Sequence, residues 1–100
     1  MKKLRSLDQL EESYFRSHPE EVDTYIAEIF WEYSQDQDSA ALLASLRVLA
    51  KVRGISEVAR EIGMSRQGLQ KALSGRGNPR LDNISAILRA MGYRLAPQRL

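Results

Sequence analysis

Residues 55–74, ISEVAREIGMSRQGLQKALS, predict two short helices joined by a tight turn. Gly63 stands where the chain must take a left-handed conformation, which glycine adopts at little cost. Ser65 follows as the predicted N-cap of the second helix. The inward side chains at helical spacing are Val58, Ala59 and Ile62 in the first helix and Leu69, Ala72 and Leu73 in the second. This pattern is typical of a helix-turn-helix.

The outer face of the second predicted helix is polar and basic. Arg66 and Gln67 lie in its first turn, the part that reaches base edges when such a helix enters the major groove. A plain helical hairpin would explain the apolar positions equally well, but it leaves these polar side chains unexplained. The sequence therefore predicts that the chain binds double-stranded DNA.

The predicted DNA contacts divide into residues that read bases and residues that hold phosphates. Gln67 and Gln70 suit adenine or other base edges, and Arg66 suits guanine. Side chains in the loop after the reading helix suit phosphates, as do the free backbone N–H groups where Ser56 and Ser65 open their helices. The predicted contact set is Ser56, Ser65, Arg66, Gln67, Gln70, Lys71, Arg76 and Asn78.

Charge is divided unevenly along the chain. Residues 1–38 hold ten acidic and four basic residues, a net charge of −6, whereas residues 39–100 hold three acidic and eleven basic residues, a net charge of +8. Such a split predicts two surfaces with different partners, of which the basic one faces a polyanion. A solvated helix face is the usual cause of an acidic run, and only the contrast with residues 39–100 favours a partner for it.

Apolar residues at steps of three and four predict further helices over 4–16, from 17–19 to the polar run 34–39, over 40–52 and over 82–91. Ser17 and Glu20 have capping-box spacing for the second of these, with His18 as the alternative cap before Pro19. The stripe from Val22 to Tyr33 favours core packing against residues 40–52 over a partner groove.

The tail and the composition complete the expected fold. Tyr93 and Leu95 alternate in the tail, which predicts a short C-terminal strand.

The chain has no cysteine and a single histidine, so no disulfide, metal site or cofactor is expected. Neither a signal peptide nor an apolar run of about 18 residues is present, which predicts a cytoplasmic protein. Its carboxylates form no facing catalytic pair, so we expect no enzyme activity.

The chain resembles the addiction-module antidote proteins, antitoxins with a Cro/phage-repressor-type helix-turn-helix, in particular those that are HigA-like. The resemblance covers roughly residues 10–95, and its most specific parts are GISEVAREIGMSRQGLQKALSGRGNP (54–79) and LDNISAILRAMGYRL (81–95). Together with the helix pattern it gives an expected all-α fold. A lambda-repressor-like helix-turn-helix domain over 39–100 would carry an acidic N-terminal helical extension over 1–38.

The resemblance implies the role of a type II antitoxin. Such a protein binds and neutralises a small basic RelE-like toxin that cleaves messenger RNA, and it represses its own operon. An acidic extension suits a toxin with a basic RNA-binding surface. One alternative is a stand-alone prophage-type repressor, and another is an inhibitor that has lost DNA binding. Single modules of this kind usually bind as two-fold dimers, so we expect a homodimer.

Trp31 is the candidate anchor for the toxin. At about 100° per residue it lies nearly opposite the apolar stripe of its helix, near Glu28, and tryptophan is enriched at binding hot spots. The alternative is that Trp31 packs under the first helix, against Leu7, Leu10, Tyr14 or Phe15. The predicted toxin contacts are Trp31, Glu28 and Glu32.

Overall fold

The computed structural model describes residues 7–76 and 78–100, and within them the chain is all-helical with no strand. The helices are α1 (Leu7–Ser17), α2 (Val22–Asp36), α3 (Ser39–Arg53), α4 (Ile55–Glu61), α5 (Arg66–Ala72) and α6 (Leu81–Ala90). A 3-10 turn, Pro19–Glu21, separates α1 from α2. The predicted all-α fold is confirmed. Residues 4–6 of the predicted first helix, and Gly77 of the loop before α6, lie outside the described residues.

Helix α3 lies at the centre of the fold, with α1, α2 and α4 packed against it, and α4 in turn contacts α5 and α6. One hydrophobic core joins all of these elements. Its buried members are Phe15, Ile26, Ile29, Leu43, Leu46, Val48, Leu49, Ala50, Ile55, Val58, Ala59, Leu69, Leu73, Ile87, Leu88, Ala90 and Met91. The acidic N-terminal part thus shares its core with the basic part, and the division into 1–38 and 39–100 stays a prediction.

Most side chains that the helical spacing places inward are buried. In α2, Ile26 and Ile29 lie in the core, and the stripe faces α3 as predicted. In α4, Val58 and Ala59 are buried, and Leu69 of α5 is completely so. Full burial of a side chain of this size stabilises the folded state by about 1.5–3 kcal/mol. This gain offsets the conformational entropy that each residue loses on folding.

The turn between α4 and α5 forms as the sequence predicts. Gly63 has φ +74°, in the left-handed region, and the amide of Met64 donates to the carbonyl of Ala59 at 2.9 Å. The hydroxyl of Ser65 accepts a hydrogen bond from the amide of Gly68 at 2.9 Å, which confirms Ser65 as the N-cap of α5.

Two helix starts differ from the sequence-based expectation. Ser17 is the last residue of α1, so it cannot cap the next helix, and the predicted capping box with Glu20 is wrong. His18 precedes the 3-10 turn, with Pro19 at its first position, but makes no capping bond. Helix α3 has a cap that the sequence analysis missed, because the carboxylate of Asp38 accepts from the amide of Ala41 at 3.1 Å.

The predicted C-terminal strand is wrong. Residues 93–100 have no regular structure, since no strand among the described residues lies beside them to pair with. Gly92 ends α6 with φ +91°, and the amide of Tyr93 donates to the carbonyl of Leu88 at 2.8 Å. The hydroxyl of Tyr93 donates to the carboxylate of Asp23 in α2. The start of the tail is therefore held by a side chain instead of a β-ladder.

Candidate DNA-binding and partner-binding surfaces

The polar side chains of α4 and α5 lie together on the surface. Ser56, Arg66, Gln67 and Lys71 are exposed, and Gln70 is half-buried. Helix α5 buries its apolar side in the core, which leaves this side to the solvent. Four of the predicted base-reading or phosphate-holding side chains therefore belong to one short helix.

The two serines of this surface have different structural roles. Ser65 caps α5, whereas Ser56 is the second residue of α4, and the N-cap position of α4 is Gly54 with no side-chain cap. Ser56 therefore lies in the first turn of α4, as expected for a residue near the free backbone N–H groups, but its side chain caps no helix. Its hydroxyl instead accepts from the guanidinium of Arg66 at 3.4 Å, a contact that joins α4 to α5.

The basic groups of this surface are not neutralised within the described chain. No described carboxylate lies within ion-pair distance of Arg66, Lys71 or Arg76. In the loop that follows α5, both Arg76 and Asn78 are exposed. Cations that pair with no described carboxylate can release bound counterions when they meet a polyanion.

Other cations are engaged inside the fold. Arg47 pairs with Asp8 at 2.7 Å, and Arg16 pairs with Glu12 at 2.7 Å and donates to the carbonyl of Lys51 at 2.8 Å. The pair of Arg47 with Asp8 and the bond of Arg16 to the carbonyl of Lys51 hold α1 on α3. The basic excess of residues 39–100 is thus only partly available to a ligand.

Trp31 lies on the outer side of α2 and is 64% exposed. The alternative that it packs under α1 is therefore wrong. Phe15 of α1 packs instead against Tyr25 of α2, with ring centroids 4.5 Å apart. Glu28 and Glu32, the acidic neighbours of Trp31 on this helix, are also exposed. A large aromatic side chain beside carboxylates matches the composition of a protein-binding surface.

Two tyrosines link α1 to the start and side of α2. The hydroxyl of Tyr14 donates to the carboxylate of Glu21 at 2.6 Å, and that of Tyr25 donates to the carboxylate of Glu11 at 3.2 Å. The hydrogen bond to Glu21 raises the pKa of Tyr14, and burial raises the pKa of Tyr25. Both hydroxyls therefore stay protonated donors to acidic groups.

The described part of the chain brings no three His, Asp or Glu side chains together as a metal site requires. A surface groove of about 270 Å³ lies where α2, α3 and the end of α6 meet, with Asp23, Arg53 and Tyr93 among its lining residues. No helix of the described residues is long and apolar enough to cross a membrane.

Two comparisons with known proteins give matches that span most of the chain. A family model described as "Probable addiction module antidote protein" matches residues 6–99. An uncharacterized protein of Haemophilus influenzae (strain Rd) is 35% identical over 80 residues, which cover 80% of this chain and 78% of that protein. No solved structure gives a significant match.

Proposed function

The chain belongs to the family of probable addiction module antidote proteins, and we propose that it is the antitoxin of a type II toxin–antitoxin module. In this role it binds and neutralises a small basic RelE-like toxin that cleaves messenger RNA, represses its own operon, and acts in the cytoplasm without enzyme activity. The observation that carries the proposal is the presence of two exposed surfaces of opposite charge, on α4–α5 and on α2.

The α4–α5 surface is the proposed DNA-binding surface, as a HigA-like helix-turn-helix of the Cro/phage-repressor type. Helix α5 lies in the major groove, where Gln67, Gln70 and Arg66 read base edges. Lys71 and Arg76 hold phosphates, together with Asn78, Ser56 and Ser65. The exposure of these residues, and the lack of a described carboxylate beside the three cations, support this assignment.

A homodimer is the proposed DNA-binding form. One α5 helix of seven residues reaches only a few base pairs. Two copies related by a two-fold axis would read two half-sites about one helical turn apart, which supplies the affinity that a single copy lacks.

The outer side of α2 is the proposed toxin-binding surface. Trp31 supplies the apolar anchor, and Glu28 and Glu32 supply the negative charge that a basic toxin meets. Burial of the exposed Trp31 side chain against a partner would remove apolar surface from water, which supports a role in binding.

A pull-down of the tagged chain from its native cell, after nuclease treatment, tests the antitoxin role. We expect a stoichiometric small basic protein that arrests growth when it is expressed alone and is harmless together with this chain. If only the chain itself is recovered, while untreated extract yields a specific promoter fragment, the alternative of a stand-alone prophage-type repressor replaces the antitoxin.

A substitution in the same assay tests the role of Trp31. Trp31→Ala should weaken capture of the basic protein. Tyr33→Ala, which removes an aromatic side chain from the inner side of the same helix, is the control for a loss of capture that altered folding causes. Unchanged affinity of the Trp31→Ala chain would remove Trp31 from the toxin-binding surface.

A further inference from the structure

Helix α1 carries a row of apolar side chains that no other helix covers. Leu7 is 72% exposed, Leu10 is 52% exposed and Tyr14 is 45% exposed. Their spacing of three and four residues places them along one side of the helix, over a length of roughly 10 Å. Meanwhile Phe15 anchors the inner side of α1 in the core. These three side chains therefore lie outside the hydrophobic core.

An acidic row begins at Glu21 in the 3-10 turn and continues along α2, and it meets the apolar row where Tyr14 donates to Glu21 at 2.6 Å. Glu21, Tyr25, Glu28 and Glu32 follow one another at steps of four, three and four residues, so they share one side of the chain from the start of α2 onward. The start of this row faces α1, because Tyr14 donates to Glu21 and Tyr25 donates to Glu11, whereas Glu28 and Glu32 farther along α2 are exposed to solvent.

The two rows together form one composite surface. We call it the α1–α2 surface, with Leu7, Leu10 and Tyr14 as its apolar row and Glu21, Glu28 and Glu32 as its acidic row. The side chains of both rows are exposed to solvent. All three carboxylates are exposed, and only Glu21 has a described hydrogen-bond partner.

The chemistry of these rows selects the kind of partner. A second copy that is seated on the apolar row by a two-fold axis would bring two acidic rows together, which like charges disfavour. A helix with apolar side chains on one side and Lys or Arg along the edge of that side would satisfy both rows at once. Such a helix matches the apolar row over two turns and the acidic row in charge.

We propose that the α1–α2 surface binds a basic amphipathic helix of the toxin, with Leu7, Leu10 and Tyr14 as its apolar contacts. This inference rests on the proposed antitoxin function and deepens it. It assigns the apolar part of recognition to α1, whereas Glu28 and Glu32 of α2 pair with the cations of that helix. Trp31 then borders the bound segment from the outer side of α2.

The test uses the basic protein that the pull-down identifies, purified and titrated into the wild-type chain and into the double variant Leu7→Ser/Leu10→Ser. We expect the double variant to bind at least about tenfold more weakly, because both side chains lose their buried contacts. Leu81→Ser is the matched control, since Leu81 is 69% exposed on α6, and its affinity should be unchanged. Circular dichroism melting checks that the variants stay folded.

Hydrogen exchange on the wild-type chain gives a second measurement that needs no variant. Addition of the basic protein should slow exchange of the amides of residues 10–14 and 25–32, and leave those of α6 unchanged. Wild-type binding together with equal affinity of the double variant, or with no protection of α1, would overturn this inference and leave the antitoxin role intact.

Two further outcomes separate the inference from its alternatives. Recovery of no basic protein by the wild-type chain would remove the antitoxin role and this inference together. If sedimentation shows that Leu7→Ser/Leu10→Ser converts a dimer to a monomer, a second copy of the chain occupies the apolar row, and the toxin does not.

Discussion

The guanidinium of Arg47 lies 2.7 Å from the carboxylate of Asp8 and also donates to the carbonyl of Leu73 at 3.3 Å. Asp8 belongs to α1, Arg47 to the central helix α3, and Leu73 directly follows α5. One side chain thus connects the acidic helix α1 to the end of the helix that carries the basic surface. Both charged side chains are about one-quarter to one-third exposed, so water screens the pair only partly.

Replacement of Arg47 by Ala should lower the free energy of unfolding by about 1–2 kcal/mol, because it removes an ion pair and a bond to a backbone carbonyl. Urea unfolding of both chains measures this difference. Arg80→Ala is the control, since Arg80 lies 3.9 Å from Asp82 with both side chains more than 80% exposed, and it should change stability by less than about 0.5 kcal/mol. Equal losses in the two variants would contradict a special role for Arg47.

The hydrogen bond between Tyr93 and Asp23 should make stability sensitive to alkaline pH. Burial, together with the bond to Asp23, raises the pKa of Tyr93 to about 12. An unfolded tyrosine ionises near pH 10, so between about pH 10 and 12 the unfolded chain loses this proton while the folded chain keeps it. The stability that this bond contributes is present below pH 10 and is lost as the pH rises through that window.

Tyr93→Phe isolates this effect. At pH 8 the variant should be less stable by about 0.5–1.5 kcal/mol, the usual contribution of one hydrogen bond. The difference from the wild type should narrow as the pH rises from 10 to 12, as urea unfolding at several pH values would measure. Tyr14 and Tyr25 remain in both chains, so their ionisation cancels in the comparison. A difference that stays constant with pH would show that Tyr93 does not titrate in this way.

The two serines of the α4–α5 surface should differ in their effect on stability. Ser65→Ala should cost about 1 kcal/mol, because the amide of Gly68 loses its acceptor at the start of α5. Ser56→Ala should change stability by less than about 0.5 kcal/mol, since its hydroxyl caps no helix. Thermal melting of the two variants compares them directly, and a larger loss for Ser56→Ala would refute the assigned roles.

The proposed phosphate contacts predict a salt dependence. Lys71→Ala and Arg76→Ala should each weaken binding to unrelated duplexes by a similar factor. Each should also lower the slope of log K against log salt concentration by about one unit. Fluorescence anisotropy between 50 and 200 mM salt measures this slope. Arg89→Ala, on the exposed side of α6, is the control and should leave the slope unchanged. A change in sequence preference would instead assign the residue to base reading.

Much of the fold was predictable because local rules decide it. The spacing of Ile26 and Ile29 identifies the buried side of α2, and the turn at Gly63 requires a conformation that few other residues adopt. The cap at Ser65 likewise depends on its own neighbours in sequence. Such features need no knowledge of which helix packs against which.

The features that escaped prediction depend on tertiary placement. Leu7 and Leu10 have the spacing of an ordinary packed stripe, and only the position of α1 on α3 shows that they face solvent. Arg47 is chemically equivalent to other basic residues until Asp8 is brought beside it. The tail alternates as a strand does, but a strand also requires a neighbour, which residues 93–100 lack among the described residues.

The shared core has a consequence for the lifetime of the molecule. Phe15 of α1 and Ile29 of α2 share one core with the central helix α3, which also supports α4, so removal of residues 1–38 would expose part of α3 to water. A cut within this N-terminal segment would therefore weaken the core that also supports the basic surface.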